Sequence, residues 1–274
     1  MNISALINTV WKELPEESLL IGGPRFTYPT GLYETLRVVD FTPAFLDAHL
    51  DRLFQGAGRV KMEIPYSRSE IIDQVIKVIQ HFPKPDQQVR ILVVPGQLII
   101  YTTTLNYDPA VYQGVAAISV PVVRQNPEIK TTETEDSLRA WLKAQKEGCF
   151  EALLVSSDGT VYEGSRSNIF WVQGGKLMTR KGEVLPGTVR NLILEKTTLA
   201  VKFSHLNIHV LDNVEEAFLT NSSSGIIPLM KLNEQSLPLP VPGHITVHLM
   251  KQYNRWLQED IRKFRRKNNT YFQG

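Results

Sequence analysis

Two short stretches carry residue types suited to a cofactor chemistry. In Val161-Tyr-Glu-Gly-Ser-Arg-Ser-Asn-Ile-Phe170, Glu163 ends an extended run and enters a turn that includes Ser167 and Asn168. A carboxylate so placed can hydrogen-bond a pyridinium nitrogen and keep it protonated, which strengthens the ring as an electron sink. In Leu185-Pro-Gly-Thr-Val-Arg190, Gly187, Thr188 and Val189 open a helical run. A helix start leaves backbone N–H groups free, and with a hydroxyl and the helix dipole they form an anion site. In Asn221-Ser-Ser-Ser-Gly225, Ser222 and Ser223 could complete a phosphate cup. Lys130 is the one lysine between the 125–128 segment and Glu163 that stands clear of an amphipathic helix. A Schiff-base lysine must lose its proton; its ordinary pKa is about 10.4, and burial lowers it. An acid for a ring nitrogen, a cup for a phosphate and an amine for an imine together point to pyridoxal 5'-phosphate.

Each feature also has a plainer reading. Glu163 could be a surface hairpin acid, Thr188 part of an ordinary helix start, and the serine run a turn. Arg52 could be a surface arginine or a cationic partner for a phosphate. His205 with His209, and His244 with His248, have a four-residue spacing but no accompanying Glu or Cys-x-x-Cys, so no metal site is expected. Gly-x-Ser-x-Gly, Gly-x-Gly-x-x-Gly and a Walker loop are absent. Cys149, the single cysteine, reads as a small buried residue.

Bulk properties narrow the class. The chain has 274 residues, 42% hydrophobic, and a net charge of +2. That suits one large or two ordinary globular domains with a real core. The basic run Arg262-Lys-Phe-Arg-Arg-Lys267 reads as a solvated helix face, so no nucleic-acid partner is expected. No apolar run reaches the roughly 20 residues of a membrane helix, and no membrane partner is expected. One cysteine fits a cytoplasmic location. Residues 268–274 look like a frayed tail or tag remnant.

The elements that must position these residues are legible as periodicities. Leu32 to Val39, Val89 to Val94, Ile99 to Thr104 and Val115 to Val123 read as strands, with a turn at Asn106-Tyr-Asp-Pro109. Asp47 to Ala57 reads as a helix, as does the stripe Ile71, Ile72, Val75, Ile76, Ile79, capped by Ser67 or Ser69. The second half opens a helix over Asp136 to Glu147, then gives a dense strand pattern: Ala152 to Ser156, Thr160 to Glu163, and Asn168 to Gln173 with Lys176 to Arg180 around Gly174-Gly175. Val189 to Val201 reads as helix, Glu216 to Thr220 as strand, and His244 to Arg265 as a terminal helix. This mixture predicts two α/β units: an N-terminal domain over 1–120, a linker over 121–128, and a cofactor-binding domain over 129–267.

Taken together, the segments resemble the fold-type IV pyridoxal-phosphate enzymes, the class IV aminotransferases, from about Gly31 to Pro228. Gly31-Leu-Tyr-Glu-Thr-Leu-Arg37 looks like the family's early strand motif and Ala48-His-Leu-Asp-Arg-Leu53 like its His-x-x-Arg-Leu helix. The stretches around Glu163 and Thr188 match its two central motifs. The resemblance implies an α/β (α+β) two-domain fold with the cofactor at the domain interface, a small-molecule amino substrate and a homodimer. It implies that Lys130 forms the Schiff base and moves the substrate proton, and that Glu163 pairs with the ring nitrogen. Arg52, Thr188, Val189 and Ser222 would hold the phosphate, Leu185 would pack on the ring, and Tyr33 and Thr35 would face the substrate. Ser167, Asn168, Gly187 and Ser223 complete the expected cofactor set.

The departures from the pattern concern the substrate. The family often has asparagine and tyrosine or arginine soon after the lysine; here the run is Thr-Thr-Glu-Thr-Glu-Asp136. Val94-Pro-Gly-Gln97 stands where D-amino acid aminotransferases have an Arg-x-His carboxylate trap. Thr35 stands where branched-chain enzymes usually have glycine, and resembles aminodeoxychorismate lyase, where the hydroxyl helps the elimination. The expected activity is 4-amino-4-deoxychorismate lyase, yielding 4-aminobenzoate and pyruvate for folate synthesis. A branched-chain-like aminotransferase and a non-catalytic phosphate-ligand binder are the alternatives. The first 30 residues show no opening strand signal.

Overall fold

A computed structural model describes residues 2–105, 108–238 and 240–271. The fold is mixed α/β with two sheets, and the chain divides into two compact units. One comprises 1–106, 129–134 and 255–274; the other comprises 107–128 and 135–254. Pairing rather than composition fixes these memberships. The segment around Lys130 bridges to the strand at Leu32, and the strand beginning at Val115 pairs on both sides within the second unit. Part of the expected turn (Asn106, Tyr107) and the last three tail residues lie outside the described residues.

The first unit holds a six-stranded antiparallel sheet built from β1 (Asn2–Ile7), β2 (Val10–Pro15), β3 (Leu32–Val39), β4 (Thr42–Pro43), β5 (Gln87–Val94) and β6 (Gln97–Thr104), in the order β2-β1-β6-β5-β3-β4. The opening residues are therefore a strand hairpin after all, turned by Asn8 and Thr9 at positive φ. It left no signal because β2 lies at the sheet edge and is mostly exposed, so no apolar alternation was needed. Helices α1 (Leu46–Val60) and α2 (Arg68–His81) cover one face. Leu50, Leu53, Ile71, Val75 and Ile79 pack there with Leu36, Val89 and Ile91. Ser67 is the cap of α2, closing a capping box with Glu70. β3 alternates strictly: Leu32, Glu34, Leu36 and Val38 are buried, while Tyr33, Thr35 and Arg37 stay partly open.

The second unit is a ten-stranded mixed sheet. It comprises β7 (Val115–Pro121), β8 (Glu151–Val155), β9 (Thr160–Gly164), β10 (Asn168–Gln173), β11 (Lys176–Thr179), β12 (Val201–Phe203), β13 (Leu206–Asn207), β14 (Glu216–Asn221), β15 (Gly225–Leu232) and β16 (Gln235–Ser236). The order is β12-β11-β10-β14-β15-β7-β8-β9-β13, with β16 on β15. Helix α3 (Glu135–Lys146) sets Ala140 and Ala144 against Ile118 and Leu154 of the parallel pair β7–β8. Helix α4 (Thr188–Lys196) stops short of the expected Val201. Thr197 turns extended, and Val201 to Phe203 instead pair in parallel with β11, where β-branched and aromatic residues fit better than in a helix. Helix α5 (His244–Lys267) begins on Glu216, whose carboxylate accepts the N–H groups of Ile245 and Thr246.

Candidate functional site

Lys130 is fixed by main-chain bonds to the start of β3. Tyr33 N–H donates to the Lys130 carbonyl at 3.1 Å, and Thr132 N–H to the Gly31 carbonyl at 2.9 Å. The Thr132 hydroxyl accepts Gly31 N–H at 2.9 Å. Thr131 and Thr132 after the lysine are both buried, Thr131 bridging to Leu32, while Glu133 and Glu135 are exposed. Lys130 Nζ lies over the Tyr33 ring, 4.4 Å from its centroid. Burial lowers the lysine pKa; Tyr33 and Glu34 oppose this, while Arg52 and Arg90 assist it.

Behind the lysine, on the helical side of β3, Glu34 is fully buried between His49 and Arg52 of α1. Arg52 grips it with both ends, Nε at 2.8 Å and Nη2 at 2.6 Å, and His49 Nδ1 lies 2.7 Å away. Burial alone would raise the Glu34 pKa, but the charge and bonds of Arg52 and the bond from His49 win and take it down to about 2. Burial lowers His49, so its imidazole is neutral and donates through Nδ1. Arg52, expected to meet a phosphate, donates through Nε and Nη2 to a carboxylate inside its own unit.

On the other side of β3, Thr35 pairs directly with Arg90 of β5, and Arg90 pairs with Tyr101 of β6. Tyr33, Thr35 and Arg90 therefore share one face. Among the described residues the Arg90 guanidinium has the Tyr33 ring as its near partner, 5.5 Å to the centroid, and no carboxylate.

The second unit gathers the ring-acid and phosphate candidates at one end of its sheet. Glu163 is buried at the end of β9. Its Oε1 accepts from Arg124 Nη1 at 2.8 Å; its Oε2 accepts from Leu185 N–H at 2.9 Å and Asn168 Nδ2 at 3.2 Å. Asn168 Nδ2 also donates to the Leu185 carbonyl at 2.9 Å. Gly187 runs so close to Asn168 that a Cβ there would displace its amide oxygen. Thr188 opens α4, and the helix has no side-chain cap. Asn168 pairs with Thr220, which places the turn bearing Ser222 and Ser223 at the same end. Ser167 is turned elsewhere: its hydroxyl donates to Glu151 at 2.7 Å.

The chain matches the family model for amino-transferase class IV over residues 31–232. It is 30% identical over 234 residues to a probable branched-chain-amino-acid aminotransferase of Thermotoga maritima, covering 81% of this chain and 84% of that one. The chain belongs to the class IV aminotransferases. This is a family of enzymes that use pyridoxal 5'-phosphate. A further relative of this class IV chain is the aminodeoxychorismate lyase of Bacillus subtilis, 27% identical over 76% of this chain and 80% of that one. The fold matches a branched-chain aminotransferase of Thermoproteus uzoniensis with TM-score 0.81 and 21% identity, covering 97% of this chain and 98% of that one.

The donor set fits the family's cofactor on two observations. The named partners of Glu163 are all N–H donors, which hold it as the carboxylate a protonated ring nitrogen needs. The start of α4 carries no side-chain acceptor over its free N–H groups, which suits a phosphate. Sequence reasoning missed Glu34, Arg90 and Arg124. The signal for Glu34 was a lone charge in the buried register of Leu32 and Leu36; Arg124 stood at the end of an apolar run, just before the polar 125–128 segment.

Proposed function

We propose that this class IV enzyme is a 4-amino-4-deoxychorismate lyase, releasing pyruvate and leaving 4-aminobenzoate. Each product carries one carboxylate, so the substrate carries two. The observation that supports this reading is Arg90, a partly buried cation with no carboxylate partner among the described residues, on the face of Tyr33 and Thr35. A polar face of this kind suits a dicarboxylate better than an aliphatic side chain.

Pyridoxal phosphate supplies an electron sink for the carbon that bears the substrate nitrogen. Lys130 would carry it and, with its lowered pKa, take up the proton from that carbon on Nζ. Thr35 would donate through its hydroxyl to the departing oxygen. Glu163 would hold the ring nitrogen, kept anionic by Arg124, and the start of α4 with Ser222 and Ser223 would hold the phosphate. A homodimer and a cytoplasmic location go with the reading.

Transamination is the second reading, favoured by the Thermotoga maritima relative. Purified protein given pyridoxal phosphate should absorb in the near-UV or visible, and borohydride should fix the added mass on Lys130. Pyruvate release from aminodeoxychorismate is then compared with amino transfer to a keto acid. Transfer without pyruvate release would sink the lyase reading in favour of the second.

A further inference from the structure

Glu151 opens β8 and is only 1% exposed, yet among the described residues no cation pairs with it. Four donors converge on it instead. Oε1 accepts Ala152 N–H at 2.9 Å and the Ser165 hydroxyl; Oε2 accepts the Ser167 hydroxyl at 2.7 Å and Arg166 N–H at 3.3 Å. Three of these donors belong to consecutive residues of the turn that joins Glu163 to Asn168. The turn closes tightly around the carboxylate. Gly164 N–H donates to the Ser167 carbonyl at 2.7 Å and Ser165 N–H to the Ala152 carbonyl at 2.8 Å. A Cβ on Gly164 would overlap the Ser167 hydroxyl and come within 2.9 Å of Glu151 Oε2.

We propose that Glu151 is a positioning residue for the ring end of the cofactor site, holding the 164–167 turn so that Asn168 meets Glu163 and Leu185. The inference rests on the pyridoxal-phosphate reading above. It also reassigns Ser167, expected to touch the cofactor, to a role through Glu151. Two carboxylate oxygens offer about four lone-pair sites, and four donors fill them. Burial without a cation raises the Glu151 pKa against the bonds from Ser165 and Ser167. Such a group is retained at a cost unless its geometry is needed. A glutamine is the informative change. Whichever way its amide is turned, its NH₂ opposes a backbone N–H, that of Ala152 or that of Arg166, while shape is kept.

The test titrates apoprotein with pyridoxal phosphate, with unphosphorylated pyridoxal and with inorganic phosphate. Glu151→Gln is expected to weaken pyridoxal phosphate and pyridoxal by the same factor, about tenfold, the scale of one lost hydrogen bond. Phosphate binding should stay within about twofold. Adding Ser167→Ala to Glu151→Gln should cost less than about twofold more, because the hydroxyl acts through the lost carboxylate. A folded Glu151→Gln protein that binds all three as the wild type does overturns the proposal. So does equal weakening of phosphate, which would mean general loosening, or a full additive loss from Ser167→Ala. If Glu151→Gln fails to fold, Ser165→Ala and Ser167→Ala decide. Each should weaken pyridoxal, with the double variant close to the single ones; wild-type binding by both, or full additivity, overturns it. A wild-type chain that takes up no pyridoxal phosphate would instead remove the cofactor reading itself.

Discussion

Lys130 Nζ stands 4.4 Å from the Tyr33 ring centroid because the two residues are neighbours across a main-chain bridge, not across a side-chain gap. Tyr33 N–H bonds the Lys130 carbonyl, so the amine is placed by backbone pairing and its environment by the ring. An aromatic face favours the ammonium by about 0.5–2 kcal/mol. Burial and the nearby Arg52 and Arg90 favour the free amine, and the net direction is toward the amine. The site therefore moves the lysine toward the form that the chemistry requires.

That shift has a measurable cost. A lysine whose folded pKa lies below its unfolded value makes the native state bind fewer protons, so stability rises with pH between the folded value and the unfolded 10.5. At neutral pH the buried amine is a liability. Lys130→Met should raise the melting temperature of the apoprotein and abolish borohydride-stable addition of pyridoxal phosphate. Activity should fall at least by the roughly 10²–10⁴-fold associated with losing an acid–base group. Unchanged or lower thermal stability with full cofactor attachment would contradict the placement.

Arg90 faces Thr35 with no carboxylate partner among the described residues. A charge-assisted bond to a substrate carboxylate is worth about 1.5–3 kcal/mol, which is roughly 10- to 150-fold. Arg90→Met should lower kcat/KM for a dicarboxylate substrate by that factor and leave pyridoxal-phosphate affinity within about twofold. An equal loss on a monocarboxylic amino acid would show that Arg90 serves the protein and not the second carboxylate.

The sequence made Lys130, Tyr33 and Arg90 unequally visible. Lys130 stood out because it is a cation outside any amphipathic stripe, and Tyr33 because its segment resembles the family's early strand motif. Arg90 was hidden, since a cation in the middle of β5 carries no local sign of facing Thr35; only strand register supplies that. The exposed edge strand β2 was hidden for the opposite reason: with no apolar face, its sequence has no period. Element interiors were readable wherever one face is buried. What pairing across long separations decides, such as the joining of Glu163 to Arg124 or Glu34 to Arg52, was not.

Arg124 and Glu163 form an ion pair with 14% and 4% of their side chains exposed. Removing the Arg124 guanidinium takes away a charge 2.8 Å from a buried carboxylate, which costs about 3–5 kcal/mol for a fully buried pair and less here. Arg124→Met should weaken pyridoxal-phosphate binding about tenfold, the scale of one lost charge-assisted bond. An Arg124→Met protein with wild-type affinity would show that the pair does not govern the acid.

Glu34 predicts where the protein fails in acid. Its folded pKa of about 2 lies below the ordinary 4.5, so the native state binds fewer protons than the unfolded chain in that window. Its contribution is present above about pH 4.5 and is lost as pH falls toward 2. At about 1.4 kcal/mol per unit this is on the order of 3 kcal/mol. His49 adds a slope of the same sign below its ordinary 6.5, because burial lowers its folded pKa and the unfolded chain then binds the proton more readily. Glu34→Gln keeps the shape but leaves the Arg52 guanidinium facing an amide. It should cost on the order of 3–5 kcal/mol at pH 7 and flatten the stability–pH curve between about pH 4.5 and 2. Denaturant unfolding of both proteins at a series of pH values measures this. A variant with the wild-type slope below pH 4.5 would mean that the acid response arises elsewhere than at the Glu34–Arg52 pair.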